Sequence, residues 1–285
     1  MNAPNAPLRP DVEDISFSAD IAMLSGKLYR AARPKAAAVI HGATGVPAHY
    51  YGYFAAWLAE QGVMCLTYDY RDFGISSQGH PHASDATLAD WGLRDQPAAQ
   101  DLLERLAPGV PIWVIGHSIG GLMVPFHANA ARIDRLITVA SGPIHTSDLS
   151  LRWKALSAML WYGPGAVLTQ VLGYLPGRML GLGTDLPSGV FWQWRRWCTT
   201  RGFWLSEIGA RLPMPDCRSF RGHLRCVAIG DDGMVPPAAV WRLMQLYPEA
   251  AKQQAIVRPD GRAIGHIAVF SREHAQHWPS LIGTA

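Results

Sequence analysis

Three kinds of side chain in this 285-residue chain could do chemistry together: Ser118, the neighbours Asp231 and Asp232, and His266, met in that order. A serine hydroxyl is a poor nucleophile at neutral pH. It attacks a carbonyl only when a base within hydrogen-bond reach takes its proton, and that base needs an acid to hold its tautomer. Ser118 lies in Gly116-His117-Ser118-Ile119-Gly120, a Gly-x-Ser-x-Gly pattern. Its glycines suit a sharp, crowded turn that lifts the serine Oγ clear of what precedes it. The same turn aims the N–H of Ile119 at an oxyanion forming on an attacked carbonyl. The chemistry implied is acyl transfer through a covalent intermediate. The residues alone leave both aspartates as candidates for the acid.

Such groups work only if folded elements bring them together. Pro111 to Ile115, a short run with β-branched residues and Trp, reads as a buried strand entering the serine turn, and Leu122-Met123-Val124 as the start of a helix leaving it. Residues 15–31 suggest an antiparallel hairpin at a sheet edge. Further strands are expected at 36–40, 63–68, 135–140, 224–230 and 254–257. Helices are expected near 50–60, 88–106 with a bend at Pro97, 238–246 and 272–282. Strands alternating with helices predict an α/β fold, a mostly parallel sheet covered on both faces. Catalytic groups gather at the carboxyl ends of such strands. Asp231 and Asp232 follow the strand that ends at Gly230, and His266 follows the one that ends near Val257. Of the eleven histidines, His117 should point away from Ser118 and pack, and His274 and His277 should be solvated.

Composition sets the class. With 49% hydrophobic and 16% charged residues, the chain has enough apolar side chains for a large core. A net charge of +3 gives no reason to expect a nucleic-acid partner. Residues 1–14 are polar, hold Pro4, Pro7 and Pro10, and lack the cationic and apolar regions of a secretory signal. The four cysteines, at 65, 198, 217 and 226, have no metal-type spacing, and Cys65 and Cys226 fall inside strands as small apolar residues. The expectation is a reduced, cytoplasmic protein with no metal and no cofactor.

The chain resembles the serine α/β-hydrolase superfamily over nearly its whole length. The resemblance rests on His41-Gly42 after a strand, Asp69 to Ser76, Gly116 to Gly121, Gly230-Asp231-Asp232-Gly233-Met234-Val235-Pro236, and Gly265-His266. His41 to Pro47 and Leu175 to Gly183 look like an uncharacterised bacterial subgroup of predicted hydrolases. The resemblance implies a Ser118–Asp232–His266 triad, because the family's acid stands four residues before the proline of the Val-Pro pair. It implies an oxyanion hole of the backbone N–H groups of Ala43 and Ile119, with Thr44 as a further donor. His41, Arg71 and Asp72 would be structural.

It also implies a helical lid, 145–221, inserted after the sixth strand of a core made of 1–144 and 222–285. That stretch holds six tryptophans, and Ala155 to Gly177 contains no charged residue. Gly163-Pro164-Gly165 would break a membrane span in the middle, so two short helices over the site are expected, with Trp161 and Trp192 touching substrate. Nine basic against four acidic residues give the insertion an excess of five, where the whole chain's is three, which leaves room for an anionic substrate. The reading is a serine esterase for a small, largely hydrophobic ester. An acyltransferase, an aminopeptidase-like serine peptidase and a non-catalytic binding module are the alternatives.

Overall fold

A computed structural model describes residues 11–283; residues 1–10, with Pro4, Pro7 and Pro10, and 284–285 lie outside the described residues. Two antiparallel strands open the chain, β1 (Asp11–Ala19) and β2 (Ala22–Arg30), joined at Asp20, whose φ is +57°. The hairpin begins four residues earlier than its alternation suggests. Then β3 (Ala36–His41), helix α1 (Gly52–Glu60) and β4 (Val63–Tyr68) lead to α2 (Leu88–Asp90), α3 (Gln96–Leu106) and β5 (Ile112–His117). After β6 (Arg135–Val139) the chain leaves the sheet until β9 (His223–Ile229), α7 (Pro237–Met244), β10 (Ala251–Val257) and α8 (Trp278–Ile282). The sheet has eight strands in the order β1-β2-β4-β3-β5-β6-β9-β10, parallel from β4 to β10.

Alternation along the buried strands feeds two cores. Val39, Val114, Leu136 and Leu224 face the layer of α2, α3 and α7. Ile40, Ile115, Ile137 and Val227 face Phe54 and Leu58 of α1 and Trp278 and Leu281 of α8. Both faces are therefore covered, as a parallel sheet requires. Cys65 and Cys226 are fully buried in β4 and β9.

Several expectations are corrected or refined. No α-helix follows Ser118; short 3-10 turns at Ser118–Gly121, Val124–Phe126 and Ala130–Arg132 do. Pro125 has no N–H for the carbonyl of Gly121, so an α-helix cannot propagate there. The expected helix through 88–106 is present, its irregularity taking the form of a π turn at Trp91–Asp95, just ahead of Pro97. That turn sends the Trp91 indole N–H to the Arg71 carbonyl at 3.1 Å and the Asp95 carboxylate to Arg71. The last helical stretch is a 3-10 turn, Arg272–His277, followed by the short α8. His274 in that turn is buried, not solvated.

Residues 145–221 carry α4 (Leu151–Tyr162), α5 (Pro164–Leu172) and α6 (Ser188–Thr199), with a two-residue antiparallel pair, β7 (Tyr174–Leu175) and β8 (Leu186–Pro187). The break between α4 and α5 falls at Gly163. The pair is a short correction to the absence of strands expected here. No helix among the described residues is long and apolar enough to cross a membrane. Leu151, Met159, Tyr162, Val167 and Val171 leave α4 and α5 with an exposed apolar face.

Candidate active site

Ser118 sits where β5 meets the first 3-10 turn, at φ +54°, a left-handed conformation that side chains seldom adopt. The surrounding glycines are required there. A Cβ on Gly116 would run into the backbone of Gly121, and one on Gly120 into the carbonyl of His41.

His266 follows β10 and reaches back to the serine. Its Nε2 is 2.9 Å from Ser118 Oγ, and its Nδ1 is 2.7 Å from Asp232 Oδ2. The other oxygen of Asp232 accepts the N–H groups of Met234, at 2.8 Å, and Val235, at 3.0 Å. A carboxylate bound on both oxygens cannot swing, so it fixes the His266 tautomer with the proton on Nδ1. Asp231 turns the other way and accepts the N–H groups of Ile264 and Gly265 at 2.8 and 3.0 Å. It holds the loop that presents His266.

The oxyanion side needs a correction. The Ala43 N–H donates to Tyr51 Oη at 2.9 Å, inside the protein, and is committed there. Ala43 opens a turn closed by the Val46 N–H on its carbonyl, with Gly45 at φ +80°. This geometry needs glycine at its third position. The next residue, Thr44, lines the cavity beside Ser118, and neither its N–H nor its hydroxyl makes a hydrogen bond among the described residues. The Ile119 N–H is likewise uncommitted.

Over Ser118 lies a cavity of about 410 Å³. Thr44, Ile144, Trp153, Leu156, Leu160, Trp161, Leu182, Trp194 and Met234 line it, and no Asp, Glu, Lys or Arg side chain does among the described residues. Trp161 is there, but Trp192 is not. Trp192 packs edge-on against Phe191, with the Arg195 guanidinium over its ring. The period of α6 carries the signal: Phe191, Trp194 and Cys198 share the inward face, and Trp192 falls off it. Sequence reasoning missed Trp153 and Trp194, along with the aliphatic lining of Ile144, Leu156, Leu160, Leu182 and Met234. The insertion's charges lie elsewhere. Arg196 and Arg211 pair with Glu207, Arg178 with Asp185, and Arg242 of the core with Asp148.

Nearby histidines have other tasks. His41 bonds Tyr68 Oη through Nδ1, and burial, with His127 close by, holds its pKa well below the usual value. His117 turns away from Ser118 into the interior, and burial, with His266 nearby, pushes it down to about 3. Arg71 pairs with buried Asp95, not with Asp72, which accepts from Ser84 Oγ at 2.7 Å.

Comparison with known proteins agrees with this architecture. A family described as serine aminopeptidase, S33 matches residues 32–172, just under half of the chain, a stretch that holds Ser118 but ends before Asp232 and His266. Over 147 residues the chain is 34% identical to the quorum-quenching protein AidA of Acinetobacter baumannii. That match takes in 49% of this chain and 44% of AidA, so the chain spans less than half the length of the curated relative it matches. Among solved structures, an esterase of Pyrococcus furiosus superposes with a TM-score of 0.60 at 18% identity, over 99% of this chain and 94% of that one. A soluble variant of Saccharomyces cerevisiae monoglyceride lipase gives 0.58 at 14%, over 99% and 98%. The chain has the α/β-hydrolase fold. At these identities the solved structures establish its fold and nothing finer.

Proposed function

We propose that the protein is a serine hydrolase that cleaves a carboxylic ester of a small, largely hydrophobic substrate. The observation that carries this reading is the pair of hydrogen bonds from Ser118 through His266 to Asp232, at 2.9 and 2.7 Å, opening on an apolar cavity. In this reading His266 takes the serine proton as Oγ attacks, and Asp232 stabilises the imidazolium. The Ile119 N–H and Thr44, by its N–H or hydroxyl, receive the oxyanion. His266 then returns the proton to the leaving alkoxide, and water releases the acyl group along the same path. The insertion 145–221 serves as the lid that walls the acyl site.

The cavity bears on the alternatives. An aminopeptidase holds the substrate's α-ammonium, which calls for carboxylates near the nucleophile. Asp148, Asp185 and Glu207 are paired to arginines, and Asp216 caps its own turn. A carboxylate-bearing substrate would find no cation in the lining. A neutral ester suits the site better than either. The similarity to a quorum-quenching protein makes a signal-depletion assay a useful companion to an ester panel.

The test is labelling by a fluorophosphonate and turnover of p-nitrophenyl esters from acetate to palmitate, with product ratios measured in added alcohol to detect acyl transfer. Ser118→Ala is expected to abolish labelling and lower turnover by about 10⁵–10⁶ with the fold intact. Undiminished labelling of that variant would refute the assignment.

A further inference from the structure

Behind the nucleophile, away from the cavity, runs a line of hydrogen bonds that the mechanism above does not use. The Ala43 N–H meets Tyr51 Oη at 2.9 Å, Tyr51 Oη meets His117 Nδ1 at 2.8 Å, and His117 Nε2 meets the carbonyl of His266 at 2.9 Å. Ala43, Tyr51 and His117 are all buried. The ends of this line fix the direction of every bond in it. A backbone N–H can only donate, and a carbonyl can only accept. Tyr51 must therefore accept from Ala43 and give its own proton to Nδ1 of His117. His117 must carry its proton on Nε2 and donate it to His266. One tautomer of His117 satisfies the whole line.

We propose that Tyr51 and His117 are positioning residues: their relay fixes the backbone of His266 and holds the base loop and the Ala43–Val46 turn at one spacing. The inference rests on the hydrolase reading for the role of His266. The relay itself does not.

The base loop needs such a hold. Residues 258–263 are exposed, and Gly261 and Gly265 take φ +139° and +59°, so little packing orders this segment before His266. Asp231 secures the two residues in front of His266, and the relay secures His266 itself. The ring of His117 also lies 5.3 Å from that of His266, centroid to centroid. A shift of the His266 carbonyl would therefore move a ring that must meet Ser118 and Asp232 together. Burial favours neutral His117 and protonated Tyr51, so the relay keeps its polarity through the neutral range.

Two measurements test this. Long-range proton–nitrogen NMR of the histidine rings in the Ser118→Ala protein should show one Nε2–H tautomer that does not titrate between about pH 5 and 9 and vanishes on His117→Gln. An Nδ1–H tautomer, or a His117 that titrates in this range, overturns the proposal. In the active protein, Tyr51→Phe and His117→Asn should lower kcat about tenfold to a hundredfold, with KM for a p-nitrophenyl ester little changed. His117→Gln should retain most of kcat, because its amide N–H falls near the place of Nε2 and still reaches the His266 carbonyl. The asparagine amide falls near Nδ1 and stops short. Equal losses for Asn and Gln, in step with lost thermal stability, would mean packing alone and would also overturn it. Wild-type protein that takes up no fluorophosphonate defeats the hydrolase reading, and the NMR measurement then still decides the relay.

Discussion

Asp231 and Asp232 are neighbours with the same side chain and different tasks. Asp232 gives one oxygen to His266 and the other to two backbone N–H groups, whereas Asp231 ties down Ile264 and Gly265. Asp232→Asn should therefore lower kcat by roughly 10²–10⁴, and Asp231→Asn by less than tenfold, since an amide oxygen still accepts one of its bonds. Rate measurements ranking the two the other way would make Asp231 the acid. Thr44 allows an equally sharp test. It stands at the second position of a turn whose third is Gly45 at φ +80°, a place where proline is favoured. Thr44→Pro removes the N–H and keeps the turn, and it should cost about 10²–10³ in kcat, the usual loss for one oxyanion donor. Thr44→Val separates the hydroxyl's share. The serine, the histidine and the order of the three groups were legible in the sequence, because each follows a recognisable strand. The diversion of the Ala43 N–H was not. Its acceptor is a phenol eight residues on, in a segment whose pattern announces only a buried helix.

The strands were readable from runs of buried β-branched residues, and their ends moved by only a few positions. The helices next to prolines were the least regular. Pro125 and Pro97 each remove a donor, and the chain answers with 3-10 turns after Ser118 and a π turn before Pro97. Neither response shows in apolar periodicity, because the side chains stay buried either way. The tryptophans of the insertion misled for a related reason. Composition says how many there are, and only the helical period says which face each takes. Two substitutions probe the acyl wall. Leu156→Trp, at the half-exposed margin of the cavity, should shorten the preferred acyl chain. Trp161→Ala should lengthen it, at a stability cost of about 3–5 kcal/mol. Each methylene accommodated should raise kcat/KM up to about fourfold, from roughly 0.8 kcal/mol of burial. An acyl-length profile that neither variant moves would leave these residues as packing.

The whole molecule encloses three histidines, His41, His117 and His127, that burial keeps neutral; His117 and His127 are pushed down to about 3. In the unfolded chain each would take a proton near pH 6.5. Between that value and the folded one the unfolded state binds more protons, so stability is present above about pH 6.5 and is lost as pH falls. Three such groups give a slope of up to about 4 kcal/mol per pH unit. Two carboxyls work against them: burial raises Asp95 to about 6 and also raises Asp69, so in each case the folded state gains a proton at a higher pH than the unfolded chain does. Three outweigh two, and acid denaturation should be steep near pH 4–5, with His127→Gln making the curve shallower; circular dichroism against pH would show it. Gly183 of the insertion and Gly45 of the turn beside Ser118 touch backbone to backbone, a Cβ on Gly183 would collide with the carbonyl of Gly45, and the Thr184 N–H binds that carbonyl at 3.0 Å. Gly183 cannot acquire a side chain while Gly45 stays in place, and a side chain on Gly45 would press on the carbonyl of Leu182 in the insertion. The insertion is thus not a cassette that recombination can exchange at its two ends alone. A segment transplanted from a relative would have to bring a glycine to this third point of attachment, or the turn beneath it would have to change in the same lineage.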